Sequence, residues 1–377
     1  MAQVDQLVER SADLKGELLR FAQGKRFANA LSEALEERFG ATVITEEQEL
    51  IGFFDHFLLQ RRFSDGRTMV ERFVRARGDL PRAERNMMLG WVNVVEGLFE
   101  VECLDGEALV AVNLIDELTY RIHSNMGVST FEPMPPGSFL IVRLVPVLDE
   151  WLISGSVATF TAESAGHLLQ IAADRAIQHP EAVFRNPRLL ERGWELQRHD
   201  RAAFLEFFGT DLVVLTGAEC EAQMKEFRQG QTGDSAASAW DDLDLADEES
   251  VAMIYDEDEG LGFFTDFRRF QQVFENPDLV SEPGYAEIVQ IYLSDNTVSL
   301  APFRRCAERW PDGADEIFAR VLGKPDFSWA RDGEALLRSA KPEHAERPPR
   351  PRFVPVGPRL AEHLRSRRAE PQPIAAT

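Results

Sequence analysis

Side chains able to do chemistry are plentiful in this sequence, but their spacing scatters them. Seven histidines (His56, His123, His167, His179, His199, His344 and His363) share no i,i+4 pairing, so a metal or acid–base site would have to be assembled from distant segments. The closest local approach is Asp55-His56, a carboxylate beside an imidazole in a Phe-rich helical pattern. Adjacent helical residues do not face each other, so the pair reads first as the polar edge of an amphipathic helix. Arg143 is the second candidate. It stands between Ile141 and Val145 on one face of an apolar strand, with Val142 and Leu144 on the other, and a guanidinium so placed must snorkel, pair or hold an anion. The expectation is a structural ion pair with a carboxylate such as Asp116 or Glu150, a ligand site being the alternative. Arg143, Asp55, His56 and Asp116 are therefore the candidate binding residues.

Other patterns fall short of a named chemistry. Asp256-Glu257-Asp258-Glu259-Gly260 crowds carboxylates into one turn but lacks the alternating ligand spacing and distal glutamate of a calcium loop, and reads as a solvated hairpin tip. Leu322-Gly323-Lys324 lacks the earlier glycine of a phosphate-binding loop and runs into Pro325. No HExxH, GxSxG or Walker A motif occurs, and no GxGxxG follows a strand. Gly137-Ser138 and Ser154-Gly155-Ser156 put small residues at a strand start and inside a strand. A barrel bend is the first reading there, and close approach of a backbone or ligand the second. No metal or cofactor is expected.

The elements that would position these residues are legible from periodicity. Residues 3 to 39 read as two helices broken near Gly24, and Thr45 with Gln48 suggests a capping box for a helix running to about Phe63. Further helices are expected over Arg67 to Arg77 and from Pro81 to about Glu96. The period then changes to that of strands: Leu98 to Leu104, Ala108 to Ile115, Ser138 to Val147 and Trp151 to Phe160, with Thr119 to His123 as a fifth if extended. Both faces are largely apolar, so one must pack on helices. The fold class expected is α+β: a helical N-terminal region (1–96), a small antiparallel β-sheet or barrel (97–160) holding the only extensive β-structure, and a helical region on it (161–228). An acidic flexible linker (229–249) then leads to a helical C-terminal domain (250–341) and a Pro/Arg-rich tail (342–377). In that last domain Phe263, Phe267, Phe270 and Phe274 form a stripe at helical spacing, expected in the core.

Charge narrows the function. Acidic residues outnumber basic ones by 64 to 41, a net charge of -23 that repels nucleic acid and anionic lipid except where a local basic exception occurs. Asp234 to Glu259 carries eleven carboxylates and no Lys or Arg, whereas Arg347 to Arg368 carries seven Arg against Glu362 alone. Both segments are expected to be mobile, as independent solvated segments first, with partial masking of the basic one by the acidic one as the alternative. Cys103, Cys220 and Cys306 lie too far apart for a CxxC-type zinc site and suit a reducing compartment. No signal peptide or membrane span is read from the chain, and the expected location is cytoplasmic.

Several short stretches resemble a group of uncharacterised bacterial proteins. They are Phe53-Phe54-Asp55-His56-Phe57, Asp65-Gly66-Arg67-Thr68, Gly97-Leu98-Phe99-Glu100-Val101, Gly137, Arg143-Leu144-Val145-Pro146 and Phe207-Phe208-Gly209-Thr210-Asp211. Some similar proteins carry a C-terminal zinc motif of the SEC-C type; the tail here has no cysteine, so no zinc role transfers. The resemblance implies a helical-plus-β scaffold without an assigned activity. The function expected is a non-catalytic interaction or regulatory protein with protein partners. The alternatives are a hydrolase with a dispersed carboxylate/His site, or a nucleic-acid binder using the β-module and the Arg347 to Arg368 tail.

Overall fold

The computed structural model describes residues 2–40, 47–230 and 244–369. Thr45 of the expected capping box, residues 231–243 of the acidic stretch and the end of the tail lie outside them. In chain order come helices α1 (Ala2–Ala22), α2 (Ala28–Phe39), α3 (Glu47–Leu59), α4 (Met69–Ala76) and α5 (Arg82–Gly90). Strands β1 (Val95–Asp105), β2 (Ala108–Asn113), β3 (Thr119–His123), β4 (Phe139–Val147) and β5 (Glu150–Phe160) follow, then α6 (Ala165–Gln178), α7 (Pro180–Val183) and α8 (Pro187–Phe208). Next are β6 (Leu212–Leu215), α9 (Gly217–Gln229), β7 (Val251–Asp256) and β8 (Gly260–Thr265). The last elements are α10 (Phe267–Glu275), α11 (Tyr285–Ser294), α12 (Ala301–Arg309), α13 (Pro311–Leu322), α14 (Trp329–Ala340), α15 (Pro342–Ala345) and α16 (Pro358–Ala369). The architecture is α+β, with a mid-chain barrel between helical regions. Among the described residues no helix is long and apolar enough to cross a membrane.

The chain forms two compact units, one of residues up to Leu189 together with those from Pro355 onward, the other of Leu190–Val354. The boundary lies inside α8 rather than at the acidic stretch. Strand β6, before that stretch, pairs antiparallel with β7 after it (Leu212↔Ile254 to Leu215↔Val251), so the segment joins two neighbouring strands of one sheet.

In the first unit the helix-period residues of α1, Leu7, Leu14 and Leu18, meet Phe57 and Leu58 of α3, Val70 and Phe73 of α4, and Met88 of α5. Val145, Val147 and Leu152 from the outer face of the barrel complete this core. Thr68 and Glu71 cap α4 reciprocally, which fixes where it starts. Helix α5 ends at Gly90, earlier than its pattern suggests, because Val92, Asn93 and Val94 are poor helix formers and β1 has begun by Val95.

The barrel closes in the order β1-β2-β3-β5-β4, with β3 and β5 parallel (Ile122↔Trp151) and the other neighbours antiparallel. This is the connectivity of a five-stranded OB-type barrel. Alternate residues point inward, among them Phe99, Leu109, Ala111, Ile122, Leu140, Val142 and Leu144. Strand β5 is irregular at one point. Val142 pairs with Val157 but Arg143 pairs with Ser154, leaving Gly155 and Ser156 as a bulge in β5, with Gly155 at φ 91°. Only glycine adopts that conformation without strain.

The second unit adds a three-stranded antiparallel sheet, β6-β7-β8, so the barrel is not the only extensive β-structure. Strand β8 contains Phe263, which therefore leaves the expected helical stripe. A left-handed Asp266 (φ 55°) separates it from α10, and the strand's Gly-rich start hid its period from the sequence. Phe267, Phe270 and Phe274 of α10 are buried as expected, Phe270 stacking on Tyr292 with ring centroids 4.1 Å apart. Residues 256–260 form the tip of the β7–β8 hairpin as expected, exposed at Glu257 and Asp258 but buried at Gly260.

Over the described residues the tail is docked, not loose. In the second unit the Arg352 backbone N–H donates to Gln197 Oε1 (2.8 Å) and its Nε donates to the Glu259 carbonyl (2.8 Å). In the first, Leu360 of α16 is fully buried and Arg359 pairs with Glu100 at 3.0 Å. Proline-rich chain has little conformational freedom left to lose on docking, which composition alone does not reveal.

Candidate binding site

Helix α3 presents Phe53, Phe57 and Leu58 to the core, and with them Asp55, which is 2 % exposed. A carboxylate so placed costs several kcal/mol unless it is paired and hydrogen-bonded. The pairing comes from elements far away in sequence. Lys15 of α1 brings its Nζ to 2.6 Å from Asp55 Oδ1 and donates to Ser154 Oγ at 2.8 Å. Ser154 Oγ donates in turn to Asp55 Oδ2 at 2.6 Å, closing a triangle. Arg143 of β4 reaches the same carboxylate with Nε 3.8 Å from Oδ2.

The β5 bulge makes this triangle possible. A Cβ on Gly155 would stand 3.2 Å from Asp55 Oδ2, so a side chain there would crowd the carboxylate. The bend read from sequence is thus present, and what approaches it closely is a side-chain carboxylate rather than a backbone or ligand.

Arg143 does not pair with Asp116 or Glu150, as expected from sequence, but with Asp55, with Glu96 (Nη1 to Oε2, 3.2 Å) and with Gln60 (Nη2 to Oε1, 2.5 Å). Its face of β4 looks out of the barrel toward α3, which neither proposed partner occupies. Glu150 instead engages Arg121 (3.2 Å) and His123. Arg175 reaches Glu96 at 3.5 Å, so three cations share two carboxylates in this cluster.

His56 is exposed and takes no part in the triangle. Partial desolvation, and then the guanidiniums of Arg143, Arg61 and Arg38, draw its imidazole below the ordinary value. Asp116 forms a separate cluster at the β2–β3 connection. It is fully buried and accepts from the Leu118 N–H (3.0 Å), the Tyr120 hydroxyl (2.7 Å) and Asn113 Nδ2 (3.3 Å). Its backbone carbonyl accepts from Asn186 Nδ2 at 2.7 Å. Gly97 leaves the room that Asn113 fills, since a Cβ there would lie 2.7 Å from Asn113 Nδ2. Burial pushes the Asp116 carboxyl up to about 6, outweighing hydrogen bonds that favour the charged form. The structure thus brings two of the four candidates together, Asp55 and Arg143, and leaves His56 and Asp116 apart from them.

Beside the triangle is a cavity of about 470 Å³, within the range of small-molecule sites. Ser11 and Lys15 of α1, Trp91, the segment 124–126 with Thr130, and Leu152 to Val157 of β5 are among its walls. Among the described residues Lys15 is the one ionisable side chain in that lining. The indole N–H of Trp91 is buried without an acceptor among the described residues.

Sequence reasoning missed Lys15, Ser154, Glu96 and Gln60 as parts of one site. The small triplet at 154–156 was the one available signal; Lys15 looks like any solvated lysine beside Leu14 and Leu18. Among the described residues no group of three or more His, Cys, Asp or Glu side chains is placed to hold a metal ion. Comparison of the chain with family models, with curated proteins and with solved structures finds no match.

Proposed function

We propose that this chain is a non-catalytic interaction or regulatory protein of the bacterial cytoplasm, and that its first unit takes a small ligand into the cavity beside Lys15. The observation that carries this reading is the closed triangle at the cavity wall. Ser154 is the hydroxyl a hydrolase would use there, and its two partners, Lys15 and Asp55, are already paired with each other at 2.6 Å. The Ser154 hydroxyl donates to a carboxylate already engaged by the Lys15 ammonium, that ammonium has no lone pair with which to take the proton, and among the described residues no imidazole bonds Ser154. The three cysteines, present as free thiols, accord with a reducing compartment. The likeness to bacterial proteins carried by the short sequence stretches belongs to the same proposal.

A nucleic-acid role draws support from the OB-type connectivity, since such barrels bind oligonucleotides through particular loops. Here the β1–β2 and β4–β5 connections carry Glu107 and Asp149, flanked by Asp105 at the end of β1 and Glu150 at the start of β5. Arg121 beside them is engaged by Asp105 and Glu150, while Arg352 and Arg359 of the tail are engaged elsewhere. A fold by itself does not assign a function, and this charge pattern favours the binding reading.

Hydrolysis of p-nitrophenyl acetate by the full chain and by Ser154→Ala tests the proposal. Equal rates are expected. A rate that falls about tenfold in Ser154→Ala would replace the proposal with a hydrolase.

A further inference from the structure

We infer that the cavity of the first unit receives a small amphipathic monoanion, a carboxylate on a short apolar body, with Lys15 as its anchor; the inference rests on the binding reading of that cavity. Charge is the first argument. In a chain of net charge -23, the described residues that line the cavity include no carboxylate and a single cation. Lys15 commits two of its three N–H donors, to Asp55 Oδ1 and Ser154 Oγ, which leaves one for a ligand. Asp55 does not fully cancel that ammonium, because it is shared with Arg143, and the wider cluster places three cations against two carboxylates. An arriving anion therefore meets an excess of positive charge at a partly desolvated position, where Coulomb attraction is stronger than in water.

Shape and polarity supply the second argument. Val145, Leu152, Ile153 and the Trp91 ring give the cavity apolar walls suited to a hydrocarbon body. Met126 and Ser156 line the cavity and are also exposed, Met126 to 81 %, which places the entrance beside them. A molecule entering there would put its apolar part against the walls and its acceptor toward Lys15. A cationic ligand would find no counter-charge, and a neutral alcohol would use only the hydrogen bond.

Calorimetric titration of the full chain with hexanoate, hexan-1-ol and hexylamine decides the matter. Hexanoate is expected to bind with one-to-one stoichiometry at least about tenfold more tightly than hexan-1-ol, with hexylamine weakest. Lys15→Met should bring hexanoate down to the level of the alcohol, Lys15→Arg should retain a preference for the carboxylate, and Ser156→Trp, an exposed substitution at the entrance, should block both ligands. If Lys15→Met does not fold, the carboxylate-against-alcohol comparison in the unaltered chain still decides. Equal binding of hexanoate and hexan-1-ol, blocked by Ser156→Trp, would overturn the anion assignment while leaving the cavity a binding site. Absence of saturable hexanoate binding up to about 20 mM, or binding indifferent to Ser156→Trp, would overturn both.

Discussion

Asp55 and Asp116 belong to the same unit and are 2 % and 0 % exposed, yet their surroundings are opposite in kind. Asp55 sits among charges, with Lys15 at 2.6 Å and Arg143 at 3.8 Å, supplied by segments about forty and ninety residues away. Asp116 is held by neutral donors from its own neighbourhood, Asn113, Leu118 and Tyr120, with Asn186 on its carbonyl. A buried carboxylate among cations beside a cavity is part of an electrostatic site that a ligand can perturb. One among neutral donors is a packing device, and burial raises its proton affinity against its hydrogen bonds and the more distant charge of Arg185.

The largest effect should separate the two by neutralisation. In urea denaturation near neutral pH, Asp55→Asn is expected to cost about 3 kcal/mol, because Lys15 and Arg143 lose their shared counter-charge. Asp116→Asn should cost less, about 1–2 kcal/mol, since no paired cation is stranded, although the amide NH2 turns toward the Tyr120 and Asn113 donors. Equal losses would break the comparison.

The second test uses pH. The carboxyl of Asp116 is at about 6 in the folded chain against 3.8 ordinarily, so the folded state binds this proton more tightly than the unfolded state. Stability relative to Asp116→Asn should therefore rise as pH falls through about 6 and level off below the unfolded value. The gain between about pH 7 and about pH 4 should be roughly 2 kcal/mol. Parallel pH profiles for the two chains would show that Asp116 is not the group responsible.

Gly155→Ala should come next, at about 1–2 kcal/mol, because it strains a backbone at φ 91° and moves a methyl against the Asp55 carboxylate. A thermal melt within error of the parent chain would mean that the bulge relaxes freely. The smallest effect is expected from Tyr120→Phe, about 1 kcal/mol, through loss of one hydrogen bond to Asp116. The carboxylate would lose a donor that favours it, so a carbon-13 titration should place the Asp116 midpoint higher than in the parent; a lower midpoint would contradict the hydrogen-bond assignment.

Much of the fold was open to reading because it is local. The strand period at Ala108 to Ile115 and the Asp105-Gly106 turn specify a hairpin, and the helical region expected over 161–228 holds α6, α7, α8 and most of α9. Where periods overlap, reading failed: Phe263 fits both a helical stripe and the strand it occupies, and Val94 and Val95 close one pattern while opening another. The tail misled for a different reason, since one buried Leu360 and two prolines dock a segment whose composition is that of loose chain.

The candidate site divides along the same line. Sequence by itself singled out Arg143 as a cation on an apolar strand face and Gly155 as a bend, and it named Asp55 but read it as the polar edge of an amphipathic helix, whereas the carboxylate is buried. It could not say that the three answer one another, nor that Lys15 and Ser154 complete the answer. Burial and Coulomb attraction act between atoms a few ångströms apart, whatever their separation along the chain. Only the packing of α1 and α3 on the β5 bulge brings positions 15, 55, 143 and 154 within that range and leaves a cavity beside them.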